Sequence, residues 1–157
     1  MKLKLVTIGR TDQAYIKQGL LDYQARMEHF VPVSVVELPN IKQAKNLRPD
    51  EISRREGELL RRELNGTDII VLLDEAGKQF TSREMAEWLN KVMVAGPREI
   101  AFVCGGAYGF SGDMYKLAHY LIALSKLTFT HQMARLIFLE QLYRCFTILK
   151  GMPYHND

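Results

Sequence analysis

The chain has few cysteines, few prolines and no long apolar run. Its two cysteines, Cys104 and Cys145, stand far apart in apolar surroundings, without a CxxC motif or a Cys/His cluster. This pattern argues against zinc binding and redox exchange, and it predicts two buried thiols. No apolar run approaches the ~20 residues of a membrane span, and the opening MKLKLVTIG is typical of a strand rather than of a leader. We therefore expect a soluble, cytoplasmic protein with no membrane partner.

Several motifs of common enzyme classes are also missing. The histidines form no HxxxH or HxH pair beside carboxylates, so no metal site is expected. The chain has no GxSxG elbow and no GxGxxG nicotinamide fingerprint, and Gly77 and Lys78 lack the upstream glycine of a Walker loop. These absences argue against serine hydrolysis, nicotinamide chemistry and a small nucleotide hydrolase.

The excess of positive charge is small. A net charge of +3 and a sequence pI of about 8.9 permit an acidic partner such as RNA without requiring one. Cations crowd the span 42–62, but glutamates interleave with them, so the span fits a solvated helix face better than a phosphate-contacting surface. The cations of this span are Lys42, Lys45, Arg48, Arg54, Arg55, Arg61 and Arg62.

Strand-like and helix-like patterns alternate along the whole chain. Strands are predicted at 3–8, 33–38, 69–73 and 100–104, with a weaker one at 120–124. Helices are predicted at 15–30, 51–64, 84–94, 113–119 and 132–150, the third opening with a capping box of Thr81 and Glu84. The alternation favours one α/β domain over residues 1–157, with a mostly parallel sheet flanked by helices.

Three loops follow consecutive strands of this sheet. They read DEAGKQF after Leu73, GGAYGFSG after Cys104 and SKLTFTH after Leu124. Ligands of open α/β sheets bind beyond the carboxyl ends of the strands, so these loops are expected to converge on one crevice. Taken alone, the glycine cluster also fits a plain tight turn.

The last predicted helix is apolar on more than one face and yet carries charged residues. A 157-residue layer is not expected to cover it alone, which predicts a homodimer. Glu140 and Arg144 fit an ordinary i,i+4 ion pair, whereas Arg135 near the helix N-terminus opposes the dipole and suits an anion ligand. His131 fits an exposed neighbour of the helix cap as well as a catalytic group. The tail with Tyr154 and His155 fits a frayed end on position alone.

Four segments of the chain, taken together, resemble those of a known protein family. They are LVTIGR, LLDEAGKQFTSREMAEWL, FVCGGAYGF and LSKLTFTHQMARLIFLEQLYRCFTILKGMPYH. Over essentially its whole length, the chain resembles the ribosomal RNA large subunit methyltransferase H family. That family belongs to the SPOUT class of S-adenosylmethionine-dependent enzymes, which are homodimers with a C-terminal trefoil knot. The resemblance implies methylation of N3 of a pseudouridine in a hairpin loop of 23S rRNA, on assembled ribosomes.

The resemblance also implies roles for particular residues. S-adenosylmethionine would touch Leu73, Gly105, Leu124, Ser125, Lys126, Leu127, Thr128 and Phe129. The groups that could accept or relay the imide proton are His131, Glu140, Tyr154 and His155, and Arg135 could hold a phosphate or the developing enolate oxygen. Thr130 stands where family members often have proline. A non-catalytic, ribosome-associated RNA-binding module is the alternative, and binding of S-adenosylmethionine would distinguish the two.

Overall fold

A computed structural model describes residues 1–156 of the chain. Strands and helices alternate in it, in the order β1 (Lys2–Ile8), α1 (Ala14–Met27), β2 (Val33–Leu38), α2 (Pro49–Glu63), β3 (Ile69–Gln79), α3 (Ser82–Val94), β4 (Glu99–Cys104), α4 (Gly112–Leu117), β5 (Tyr120–Ala123) and α5 (His131–Leu149). A single 3₁₀ turn, Ala44–Asn46, interrupts the long loop before α2. The predicted helices and strands are therefore confirmed, with ends that differ by at most three residues except at the end of β3.

The strands form one sheet in the order β2-β1-β4-β3-β5, and every neighbouring pair is parallel. A parallel sheet needs cover on both faces, and alternate strand residues provide two apolar surfaces. Leu5 and Phe102 belong to the core under α1, α3 and α5, whereas Val6 and Val103 belong to the core under α2 and α4. The expected α/β class, with helices on both faces of a parallel sheet, is confirmed.

Strand β3 differs from the prediction, which ended it at Leu73 and treated DEAGKQF as a loop. The strand continues to Gln79, and its pairing with β5 is irregular between Leu73 and Lys78. Gly77 makes this possible, because a Cβ there would lie 2.5 Å from the backbone C and N atoms of Ile122. Only glycine lets the two backbones approach so closely.

Helix α5 packs against α1 and α3 within the same chain. Its inward residues Phe138, Leu139 and Leu142 are fully buried, and none of its apolar side chains is among the exposed large hydrophobic residues of the described chain. A single chain therefore covers α5 more completely than the sequence suggested. This packing does not test the prediction of a homodimer. It does weaken the reason for that prediction, which was that one chain would leave the apolar surface of α5 uncovered.

Candidate functional site

A cleft of about 520 Å³ lies between the irregular stretch of β3 that follows Leu73 and the carboxyl ends of β4 and β5. Its size lies within the range of small-molecule sites in proteins, roughly 300–1,000 Å³. The three loops singled out in the sequence all contribute to its wall. Of the residues predicted to touch a cofactor, all except Lys126 line it, namely Leu73, Gly105, Leu124, Ser125, Leu127, Thr128 and Phe129.

One wall of the cleft is acidic, which the sequence analysis missed. Asp74 and Glu75 directly follow the buried part of β3 and both line the cleft. The Tyr115 hydroxyl donates to Asp74 Oδ2 at 2.6 Å, and the Thr128 hydroxyl donates to Glu75 Oε1 at 3.4 Å. The signal that could have found them was a pair of carboxylates directly after the predicted parallel strand 69–73.

Tyr115 contributes a hydroxyl that stays protonated. Burial, and then the hydrogen bond to Asp74, raise the pKa of Tyr115 to about 12. The hydroxyl therefore donates to Asp74 throughout the neutral range. Asp74 also accepts from the Ala76 backbone N–H at 2.8 Å, so its carboxylate is held from two sides.

Cys104 lies at the end of β4 against the cleft. Burial raises the pKa of its thiol to about 12, and the positive charge of Arg135 opposes that shift. Burial likewise raises the pKa of Cys145 to about 12. Both thiols are free and buried, as the sequence predicted, and neither has the thiolate character of a nucleophile.

His131 is the first residue of α5 and lines the cleft with an exposed side chain. Thr130 caps this helix, since its side chain accepts from the Met133 backbone N–H at 3.3 Å. The cap places the imidazole of His131 at the rim of the cleft, where it can accept or relay a proton.

Arg135 does not line the cleft, contrary to the anion-binding role considered from the sequence. Only 2% of the residue is exposed, and its guanidinium donates to the Ile8 carbonyl oxygen at 2.6 Å and to Thr11 Oγ1 at 2.9 Å. Glu37 lies 3.9 Å away, and burial lowers the pKa of the guanidinium. Arg135 therefore ties the start of α5 to the end of β1, where no external phosphate could reach it.

The C-terminal tail is tied down rather than frayed. Tyr154 donates to Glu140 Oε1 at 3.1 Å and shares a 3.2 Å hydrogen bond with the Tyr23 hydroxyl. Arg144 pairs with Glu140 at 2.5 Å, lies over the Tyr154 ring and contacts His155 Nδ1 at 3.3 Å. Burial and these hydrogen bonds raise the pKa of Tyr154 above its ordinary value. We call Glu140, Arg144, Tyr154 and His155 the tail cluster.

The tail cluster does not line the cleft. Glu140 follows His131 by nine residues of the same helix, which is about 13 Å along the axis. One chain therefore does not assemble all of the predicted catalytic residues. It brings His131 to the cleft, whereas Tyr154 and His155 of the tail pack near Glu140, further along α5.

Neither a metal site nor a membrane-spanning helix is found in the described part of the chain. Within residues 1–156, no group of three or more His, Cys, Asp or Glu side chains could hold a metal ion. No helix in the same range is long and apolar enough to cross a membrane.

Comparison with known proteins gives consistent matches along the chain. A family model described as a predicted SPOUT methyltransferase matches residues 1–155. The chain is 46% identical over 157 residues to the ribosomal RNA large subunit methyltransferase H of Parabacteroides distasonis, covering 100% of both chains. It is 46% identical over 156 residues to the protein of the same name from Christiangramia forsetii, covering 99% of both.

The fold is also similar to that of a solved structure. A probable methyltransferase from Bordetella pertussis Tohama I superposes with a TM-score of 0.56. The match covers 91% of this chain and 95% of the other, at 13% sequence identity. At that identity the likeness concerns the fold alone, and it agrees with the parallel sheet described above.

Proposed function

The chain belongs to the SPOUT methyltransferase family, and from this premise we propose that it methylates ribosomal RNA of the large subunit with S-adenosylmethionine. The target atom is N3 of a pseudouridine in a hairpin loop of 23S rRNA, on assembled ribosomes. The observation that carries the proposal is full-length similarity to proteins named ribosomal RNA large subunit methyltransferase H, together with a cleft where the sequence predicted one. The protein acts in the cytoplasm as one domain spanning residues 1–157, with the trefoil knot implied by its family.

The residues of the cleft suit S-adenosylmethionine. Leu73, Leu127 and Phe129 offer apolar surface for the adenosine, and the glycine turn lets a ligand approach the backbone closely. The carboxylates of Asp74 and Glu75 suit the positive charges of a sulfonium and an ammonium group. When bound, S-adenosylmethionine supplies an electrophilic methyl group. The chain's own contribution is to align the acceptor nitrogen with that group and to exclude water.

Methylation of a ring imide also requires that a proton leave the nitrogen. His131 is the candidate that this chain places at the cleft, where its imidazole can accept or relay that proton. The tail cluster offers Glu140, Tyr154 and His155 as further candidates, but at a distance of about 13 Å along α5. Arg135 is assigned a structural role instead.

A homodimer would resolve this separation. If two copies associate so that the tail cluster of one faces the cleft of the other, His131 and the tail residues share one site. Tyr154 could then stack on the target base, and His155 could order it by hydrogen bonding. The proposal rests on the ordered tail and on its distance from the cleft of its own chain.

The rRNA surface is proposed to include cations of the span 42–62, but fewer than the sequence suggested. Arg54 is engaged by Glu51 and Glu58, and Arg55 by Glu51. Lys42 and Lys45 lie in the loop before α2, and no ion pair is found for either within residues 1–156. RNA affinity should therefore be modest for an isolated hairpin and should fall as salt rises.

The proposal is tested with purified protein, labelled S-adenosylmethionine and ribosomes from cells lacking this activity. Label should enter 23S rRNA, and mass spectrometry should place the methyl group on a pseudouridine. Ribosomes that already carry the methyl group are the matched control and should accept none. If the protein binds ribosomes but neither binds S-adenosylmethionine nor transfers label, the non-catalytic RNA-binding module is correct instead.

A further inference from the structure

One face of helix α2 is buried although it carries polar residues. Ser53, Glu56 and Gly57 stand at positions i, i+3 and i+4, which places them on the same side of the helix. Glu56 is only 7% exposed, whereas the side chain of its neighbour Glu58 is 54% exposed and pairs with Arg54. The charge pattern of this helix suggested that all of its glutamates are solvated, so Glu56 is an exception that needs a reason.

The buried face of α2 contacts the glycine turn of the cleft at three points. The Glu56 carboxylate packs against Gly106, and the Ser53 hydroxyl donates to the Tyr108 carbonyl oxygen at 3.2 Å. A Cβ on Gly57 would lie 2.5 Å from Ser111 Oγ, so the helix backbone lies directly against the end of the turn. Residues 105–111 are thus held from behind by α2.

Gly106 is a glycine because of Glu56. A Cβ at this position would lie 2.4 Å and 2.5 Å from the two carboxylate oxygens, and Glu56 supplies all three of the nearest atoms. The φ of Gly106 lies outside the left-handed region, so the backbone itself would accept another residue. The carboxylate is therefore packed against the turn, and its burial raises its pKa while the Gly106 N–H opposes that shift.

The contact lies directly behind the cleft. Glu56 and Gly57 support the turn from the side of α2, and Gly105, the chain neighbour of Gly106, lines the cleft. The position of Gly105 in the cleft therefore depends on how Gly106 packs against Glu56.

We propose that Glu56 is a positioning residue for the cofactor cleft, because it packs against Gly106 from behind and so holds Gly105 where it can contact S-adenosylmethionine. This rests on the proposed function, because it takes S-adenosylmethionine as the occupant of the cleft. Glu56 does not touch the reacting atoms, and it acts through the backbone of the turn. It should therefore affect the affinity for the cofactor more than the rate at saturation.

The first test compares three variants with the unmodified protein, by calorimetry with S-adenosylmethionine and by steady-state kinetics on ribosomes. Glu56→Ala removes the support behind Gly106, so it should raise the Kd and the KM for the cofactor about tenfold, with kcat at saturation kept within about threefold. Glu56→Gln keeps nearly the same side-chain shape and should recover most of the affinity. Glu58→Ala, on the same helix, is the matched control and should bind like the unmodified protein.

A double substitution isolates the contact itself. Gly106→Ala should weaken binding because its Cβ meets the Glu56 carboxylate, and adding Gly106→Ala to Glu56→Ala should weaken binding no further. Additive losses in this cycle, or a Kd unchanged in folded Glu56→Ala, would overturn the proposal. If Glu56→Ala does not fold, Glu56→Asp replaces it in the test, because its side chain is one methylene shorter and its carboxylate lies further from Gly106. An unchanged Kd there overturns the proposal, and a raised Kd with near-normal kcat supports it.

Failure of the positioning role and failure of the proposed function give different results. If the unmodified protein does not bind S-adenosylmethionine, the proposed function is wrong and the Glu56 proposal with it. If the unmodified protein binds and methylates, and the Glu56 variants do so equally well, only the positioning role is wrong.

Discussion

At the level of single residues, the cleft combines two chemically different walls. Leu127 and Phe129 provide apolar surface, while Asp74 and Glu75, which follow the buried part of β3, provide negative charge. Asp74 is held by Tyr115 and by the Ala76 N–H, so its carboxylate is oriented before any ligand arrives. Such preorganisation reduces the ordering cost of binding a cation.

Asp74→Asn tests whether this charge recognises the ligand. The amide keeps an acceptor for Tyr115 but removes the charge, so the affinity for S-adenosylmethionine should fall about tenfold. S-adenosylhomocysteine lacks the sulfonium charge and should lose less affinity. Calorimetry with both ligands measures the difference, and Glu87→Gln on the exposed face of α3 is the control. Equal losses for the two ligands would show that Asp74 does not act on the sulfonium.

The two cysteines give a second test at this scale. A thiol pKa of about 12 leaves roughly one thiolate in ten thousand at pH 8, and both side chains are buried. Iodoacetamide should therefore label neither Cys104 nor Cys145 in the folded protein, and labelling should rise only as the pH approaches 12. Mass spectrometry of the intact protein measures this. Urea-unfolded protein is the control and should take up two labels at pH 8.

Among the elements, strand β3 has the least ordinary shape. It pairs with β5 on both sides of an irregular stretch, and Gly77 lies against the backbone of Ile122. Asp74 and Glu75 lie in this stretch, so its path determines where the acidic wall of the cleft stands. The position of the acidic wall thus depends on one close backbone contact.

Gly77→Ala should disturb that contact. Its Cβ would overlap backbone atoms that cannot rotate away, so the free energy of unfolding should fall by about 2 kcal/mol, with weaker cofactor binding. Gly112→Ala is the matched control, because nothing lies within 4 Å of its added Cβ and its φ is not left-handed. Urea denaturation followed by circular dichroism gives both values. Equal stability of the two variants would contradict the close approach.

For the whole molecule, the main question is how the tail cluster and the cleft meet. The cluster is ordered on α5 and α1, yet it does not line the cleft of its own chain. In a C₂ dimer, two identical sites would each take a cleft from one copy and a tail from the other. Light scattering at micromolar concentration should therefore give the mass of a dimer.

A mixing experiment separates a shared site from a site within one chain. One copy carries His131→Ala and the other lacks residues 154–157, so neither homodimer has an intact site in either arrangement. If sites are shared, mixed dimers hold one intact site each, and random mixing should restore about a quarter of the methylation rate. If the tail serves its own cleft, mixing restores nothing. Each variant alone, and unmixed samples at the same total concentration, are the controls.

The sequence by itself was sufficient for the alternation of strands and helices and for the loops that build the cleft. Apolar spacing, the Thr81–Glu84 capping box and the glycine turn after β4 are local signals, and local geometry decides them. The ligand-binding edge followed from a general property of parallel sheets. The more specific site residues came from resemblance to a family, because spacing alone does not tell a cofactor loop from a plain turn.

Only the tertiary structure decided which charged residues face the cleft and which are buried. In the sequence, Glu56 fits a solvated charge and Arg135 fits an anion ligand. In the structure, Glu56 contacts Gly106 and Arg135 contacts Ile8, and both partners lie far away along the chain. Similarly, His131 and Glu140 lie on the same helix, but only His131 lines the cleft. The tail packs against Glu140, on the part of α5 that is remote from the cleft. These outcomes depend on contacts between distant segments, and burial and hydrogen bonding at such contacts cannot be inferred from local periodicity.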